Sequence, residues 1–296
     1  MTSSVPKFCA KCFQGTLRGD LEPTGTVEII HGLPTYVARP DPPAVATGIV
    51  VIIPDAFGWE LRNTRALADS YARRIPAVVL LPDLMAGHAF PINLLPLSDE
   101  IAAESTTFVR RTFVLKPKFY LSLAYHYIPF LTSLRPPVTL SRLQTYLSAL
   151  KADPPAPFTS SIPPKIGVAG FCWGGKYAIL LCHPPDPGNE NPVTCAFTAH
   201  PSLVDVPREI NPIALPLSLA NGVTDEWMTG EKVAEFKRVL DIKGNCETRL
   251  YDGAKHGFAV RGDPNDERQA RFGMEAEDQA VAWYKKHFET VAEGSN

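Results

Sequence analysis

Residues 165–182, Lys-Ile-Gly-Val-Ala-Gly-Phe-Cys-Trp-Gly-Gly-Lys-Tyr-Ala-Ile-Leu-Leu-Cys, constrain the fold more than any other stretch of this chain. Ile166, Val168 and Ala169 make a short apolar run suited to a buried strand, and Trp173 to Cys182 places apolar residues at helical spacing. Cys172 therefore stands where strand becomes helix. Gly170, Cys172 and Gly174 follow the G-x-S-x-G spacing of a nucleophile elbow with cysteine in the place of serine, and Gly175 comes next. Glycine suits a chain that turns sharply from strand into helix, because a Cβ two residues either side of the turn would clash. A helix that starts just after Cys172 also points free N–H groups at its sulfur, which favours thiolate over thiol. A buried structural cysteine beside a glycine-rich turn is the competing reading at this level.

The strands that would flank such an elbow are legible. Gly48 to Pro54 is an unbroken β-branched run, as expected of a strand buried on both faces of a parallel sheet. Leu61 to Ile75 carries apolar residues at helical spacing, and Ala77 to Leu81 is a second buried run that stops at Pro82-Asp83. Strand, helix and strand in this order form a right-handed βαβ unit. Upstream, Thr26–Ile30 and Thr35–Ala38 read as an antiparallel hairpin turned by His31-Gly32-Leu33-Pro34.

From Met85 to Pro164 the pattern loosens. Leu94-Leu95-Pro96-Leu97 reads as a proline-broken apolar loop, Phe119 to Leu134 as an aromatic-rich helix, and Leu140 to Leu150 as an amphipathic helix. Residues 85–164 are expected to be an insertion over the carboxyl edge of the sheet, serving as lid or substrate pocket. Their apolar surface also fits an interfacial membrane anchor, although Arg110, Arg111, Lys116 and Lys118 break any spanning stretch. After the elbow, strands are expected at Thr194–Ala199, Leu215–Ala220 and Glu247–Tyr251, with helices at Glu231–Leu240 and Ala276–Val291. The expected fold class is α/β: one domain over residues 1–296, built on a doubly wound, mostly parallel sheet with an inserted helical lid-like region.

A net charge of −2 gives no electrostatic footprint for nucleic acid or an anionic membrane. Met1 to Ala10 lacks the apolar core of a secretory signal, and six cysteines in 296 residues do not resemble a disulfide framework, so a reducing, cytoplasmic setting is expected. Cys9 and Cys12 have C-x-x-C spacing, but no second pair stands near enough in sequence to complete a metal site. No metal and no cofactor is expected.

Open parallel sheets hold their chemistry just past the carboxyl ends of strands. Asp55, Cys172, the segment Asn221 to Asp225, and His256 occupy such places. A thiol nucleophile needs a base, and the base needs an acceptor to fix its tautomer. Cys172, Asp225 and His256 supply those roles in the order nucleophile, acid, histidine. Each also has an ordinary reading: Asp225 as a helix cap with Glu226 as rival acid, and His256 as a loop histidine. The other six histidines are assigned to the surface or core.

Gly-Phe-Cys-Trp-Gly-Gly at 170–175, Asp225 in a strand-end loop, and His-Gly-Phe-Ala-Val-Arg-Gly-Asp at 256–263 resemble the dienelactone hydrolase (carboxymethylenebutenolidase) family. Its fungal branch is further resembled by Cys12-x-x-Gly15, Pro23-Thr-Gly25 and Gly32-Leu-Pro-Thr-Tyr36-Val-Ala. The resemblance implies an α/β-hydrolase fold and a Cys-His-Asp triad that cleaves lactones or activated esters through a thioester. On that likeness Cys172 is the nucleophile, His256 the base and then the acid, and Asp225 the orienting carboxylate. Asp55 takes the place of a family glutamate that contacts the resting thiol, one methylene shorter. The amides of Trp173 and Ala56 are implied as the oxyanion hole, and Arg261 as a substrate-carboxylate ligand. Phe57, Trp59 and Trp173 suggest a pocket for a conjugated or aromatic acyl group. The expected partner is a small lactone or ester, bound by a monomer or homodimer without stable membrane insertion. Two alternatives stay open: an isomerase or cyclase using the same site, and a binding protein with a vestigial triad.

Overall fold

The computed structural model describes residues 22–42, 46–161, 163–261 and 266–289. The Cys9/Cys12 pair, Gly15, Gly262, Asp263 and Val291 lie outside the described residues.

The sheet has eight strands. β1 (Thr26–Ile30) and β2 (Leu33–Ala38) are antiparallel, and β2 runs antiparallel to β4 (Ala77–Pro82). β3 (Gly48–Ile53), β4, β5 (Lys165–Phe171), β6 (Cys195–Ala199), β7 (Leu217–Gly222) and β8 (Glu247–Tyr251) are parallel, and the order across the sheet is β1-β2-β4-β3-β5-β6-β7-β8. Every residue of β3 and β4 is buried, as their unbroken apolar runs require. The chain leaves β3 toward β4 and later returns on the other side of β3 as β5. The ends of β3 and β5 thus form the switch point at which open α/β sheets open a crevice.

The helices are α1 (Arg62–Arg74), α2 (Leu94–Ala102), the short α3 (Phe108–Arg110), α4 (Lys116–Ser133), α5 (Pro136–Ala152), α6 (Trp173–Leu181), α7 (Gly230–Lys243) and α8 (Glu267–Phe288), with a π-helical turn over Arg111–Leu115. On one face, α1 and α8 meet through Tyr71 and Tyr284, and the Tyr284 hydroxyl donates to Val168 O at 2.6 Å. A side chain at Gly167 would collide with the Tyr284 ring, so a glycine inside β5 lets α8 lie close. Facing β2, α5 buries Leu143, Tyr146, Leu147 and Leu150, and Tyr146 reaches Thr35 and the His31 ring.

Two local expectations need correction. Leu94-Leu95-Pro96-Leu97 is not a loop but the first turn of α2. Pro96 sits where the helix has no N–H bond to lose, so it does not interrupt it. The hairpin turn is His31-Gly32 alone, with φ of 47° and 80°, and β2 begins at Leu33. Two successive positive φ values are what a tight two-residue hairpin demands.

Candidate active site

Cys172 has φ 51° and ψ −112°, a combination that a non-glycine residue adopts only where its surroundings enforce it. The enforcement is visible on both sides. Gly174 N–H donates to Pro54 O at 3.2 Å, Cys172 N–H to Ala199 O at 3.3 Å, and Ser202 N–H to Cys172 O at 2.9 Å. A Cβ on Gly174 would run into the Ile53 carbonyl, and one on Gly170 into that of Gly174. The helix therefore starts hard against β3, and the thiol stands on the crest of the turn, 3.7 Å from Ser202 Oγ.

Asp225 follows β7 and is buried, whereas its neighbour Glu226 is exposed, which separates the two rival acids. Asp225 Oδ1 accepts from Trp227 N–H at 2.8 Å and Met228 N–H at 3.2 Å, so backbone donors fix the carboxylate. Its Oδ2 lies 2.8 Å from His256 Nδ1. With Nδ1 engaged, Nε2 is the nitrogen left for Cys172. No hydrogen bond of strict geometry reaches Nε2, yet Cys172 is close enough to be the ring's strongest charge partner. The charge attraction does not depend on alignment, so it governs the pair. Burial pulls the His256 pKa down, but a Cys172 thiolate and then Asp225 outweigh it and raise the ring to about 10. The ring is thereby held toward its protonated form.

Asp55, one residue past Pro54, is buried and accepts from Phe57 N–H at 3.0 Å. Its Oδ2 pairs with Arg261 Nε at 3.2 Å, off the line of a proper hydrogen bond. Burial raises the Asp55 pKa; Arg261 opposes this and the charge of Cys172 adds to it. The carboxylate is thus within electrostatic reach of the sulfur despite its short side chain. Arg261 is turned onto Asp55 and lies over the Phe57 ring, 5.3 Å from its centroid. Trp59 is half-buried beneath Arg65, whose guanidinium lies 4.8 Å from the ring centroid. The N–H groups of Trp173 and Ala56 donate to no partner among the described residues. The Ala56 carbonyl accepts from Phe90 N–H at 2.8 Å, tying the loop after β3 to the segment after β4. Phe130 of α4 packs against Phe90 and Trp173, with centroids at 4.8 and 6.0 Å, and Cys172, next to Trp173 in the chain, is 5% exposed.

His200, expected at the surface or in the core, lies in the core against the His256 ring. It lies directly past β6, fully buried, with φ 40°, and its ring centroid is 5.0 Å from that of His256. Neither ring nitrogen has a hydrogen-bond partner among the described residues. Burial, then the nearby His256 and Arg261, drives its pKa well below the ordinary value and keeps it neutral. Its signal was available, since it is the first residue after a buried parallel strand.

The sequence profile described as "Dienelactone hydrolase family" matches residues 33–290. The chain belongs to the dienelactone hydrolase family. It is accordingly a carboxylic ester hydrolase acting on lactones or esters, with a small molecule as substrate. Among the relatives of this chain, "Hydrolase tropI" of Talaromyces stipitatus is 28% identical over 289 residues, covering 97% of this chain and 98% of its own. "Dienlactone hydrolase 1" of Gibberella moniliformis is 27% identical over 255 residues, covering 83% and 82%. The solved putative dienelactone hydrolase of Klebsiella pneumoniae superposes with a TM-score of 0.59 at 18% identity, over 88% of this chain and 97% of that one. The shared fold is the mostly parallel sheet described above, the α/β-hydrolase type expected from the elbow. Among the described residues, no helix is long and apolar enough to cross a membrane, and no cluster of His, Cys, Asp and Glu is arranged to hold a metal ion.

Proposed function

We propose that this hydrolase opens a lactone or activated ester by a Cys172–His256–Asp225 triad through a thioester acyl-enzyme. The observation that carries the reading is the strained elbow at Cys172, beside an imidazole whose far nitrogen is held by Asp225 at 2.8 Å. The thiolate attacks the carbonyl carbon and the carbonyl oxygen becomes an oxyanion. The amides of Trp173 and Ala56 are unengaged and receive that charge, each contributing on the order of 3 kcal/mol. Collapse breaks the acyl C–O bond, and His256 gives its proton to the departing oxygen. His256, now neutral, takes a proton from water as the water attacks the thioester; the acid leaves and the sulfur returns as thiolate. Asp225 holds the tautomer and does not exchange protons. Asp55 and Arg261 form a buried pair, and the carboxylate is within electrostatic reach of the sulfur. A thiolate is a good leaving group from its own adduct, which suits enol lactones and activated esters better than amides.

The test is turnover of a p-nitrophenyl ester by wild type and by Cys172→Ala, in water labelled with heavy oxygen. The proposal expects nitrophenol release that the substitution abolishes, with one solvent oxygen in the acid. Equal slow release by both proteins excludes the triad; with a lactone as substrate in the same labelled water, a product without solvent oxygen indicates net isomerisation or cyclisation.

A further inference from the structure

The segment that follows β6, from His200 to Leu203, is pressed against the elbow, and the triad gives it no task. Its backbone is strained at both ends: His200 and Leu203 have φ of 40° and 58°, in the left-handed region that residues with a Cβ seldom enter. Such strain persists where neighbouring contacts over-determine the chain path. Here His200 N–H donates to Ala220 O at 2.9 Å, Ser202 N–H to Cys172 O at 2.9 Å, and Lys176 Nζ to Leu203 O at 2.8 Å. Pro201 lies so near α6 that a Cβ on Gly175 would come within 2.8 Å of the proline Cβ. The bent segment carries Ser202 to the thiol.

Ser202 is buried, and its Oγ stands 3.7 Å from Cys172 Sγ, within hydrogen-bond range for sulfur. Among the described residues the hydroxyl has no other hydrogen-bond partner. A hydroxyl can turn its hydrogen to suit its neighbour, so it accepts from a thiol and donates to a thiolate. Neutral sulfur is a weak acceptor, and the O–H therefore finds a strong one only when the sulfur is charged. A buried donor left unmade costs energy, and a bond to a charged group is about twice as strong as a neutral one. Both effects favour thiolate over thiol. The other groups around the sulfur act through charge: His256 after β8, with Asp225 behind it, and Asp55 after β3, paired with Arg261. His200, on the same segment as Ser202, is held neutral against the His256 ring.

We infer that Ser202 is a further catalytic residue of this hydrolase, its hydroxyl donating to the Cys172 thiolate; the inference rests on the reading of Cys172 as nucleophile. During attack the sulfur lone pair becomes the S–C bond, and the hydroxyl loses its charged acceptor. When water has added to the thioester and the adduct collapses, the C–S electron pair returns to sulfur and the hydroxyl binds it again. Ser202 keeps its own proton throughout. Ser202→Ala removes the donor but leaves the backbone N–H on Cys172 O, so it separates the hydroxyl from the tie that shapes the elbow. The experiment is the rate of iodoacetamide alkylation against pH, read by mass on the peptide containing Cys172, in wild type, Ser202→Ala and Ser202→Thr, with Ser202→Gly as a second variant lacking the donor. Loss of a group that stabilises the thiolate moves its formation to higher pH. The Ala and Gly profiles are expected to shift up by about one pH unit, the size of one charged hydrogen bond, and the acid limb of kcat/KM to move with them. Ser202→Thr is expected to stay near wild type. Circular dichroism matching wild type certifies the fold of each variant. Coincident profiles for wild type and the variants lacking the hydroxyl overturn the inference. So does a Ser202→Thr profile displaced as far as that of Ser202→Ala, which assigns the effect to packing. Failure of the triad reading shows separately, as ester turnover that survives Cys172→Ala.

Discussion

Asp55 Oδ2 and Arg261 Nε face each other at 3.2 Å, with both side chains 1% exposed. Each is the other's compensation for lost water. Arg261→Gln leaves the Asp55 carboxylate buried beside a thiolate, and is expected to cost about 3–5 kcal/mol in urea unfolding. Adding Asp55→Asn removes the stranded charge, so the double variant is expected to be more stable than Arg261→Gln alone. An unchanged urea midpoint in Arg261→Gln contradicts the pair's role.

The two site histidines give stability a crest in pH. His256 has its pKa raised to about 10, so the stability it adds is whole below its unfolded value of 6.5 and fades as pH climbs toward 10. His200 is held neutral with its pKa lowered well below 6.5, so its contribution is whole above 6.5 and fades as pH falls. Each limb has a slope of at most about 1.4 kcal/mol per pH unit. Asp55, raised by burial, has the sign of His256 in a more acid window, so the acid limb is read by difference against His200→Phe. Urea midpoints across pH are expected to show His200→Phe flattening the acid limb. Cys172→Ala, which removes the main charge partner of His256, is expected to flatten the alkaline one. A wild-type profile without an alkaline decline contradicts the raised imidazole.

Asp225→Asn keeps an oxygen for the backbone donors of Trp227 and Met228 but removes the charge behind His256. The ring then loses its fixed tautomer, and kcat is expected to fall about 10²–10⁴-fold with little change in KM. Steady-state kinetics on an activated ester check this, and a loss confined to KM points instead to a role in binding.

The parallel core could be read from sequence because β3, β4 and β5 are continuous apolar runs, a pattern that only burial on both faces explains. Cys172, Asp225 and His256 were legible for a different reason: each stands just past a strand, and glycines mark the elbow. His200 met the same positional rule but carries no flanking glycine or motif, so only packing against His256 reveals it. α2 was missed because a proline in a first helical turn looks in sequence like one that breaks a helix. The pairing of Arg261 with Asp55 joins the loop after β3 to residues following β8, a contact that no local pattern encodes.

The most direct measurement is the intact mass of the protein quenched in acid during turnover of a slow activated ester, followed by peptide mapping. The account predicts one acyl group per chain, carried on the peptide containing Cys172 and removed by hydroxylamine. An acyl group on another residue, or none during demonstrable turnover while Cys172→Ala remains active, contradicts it.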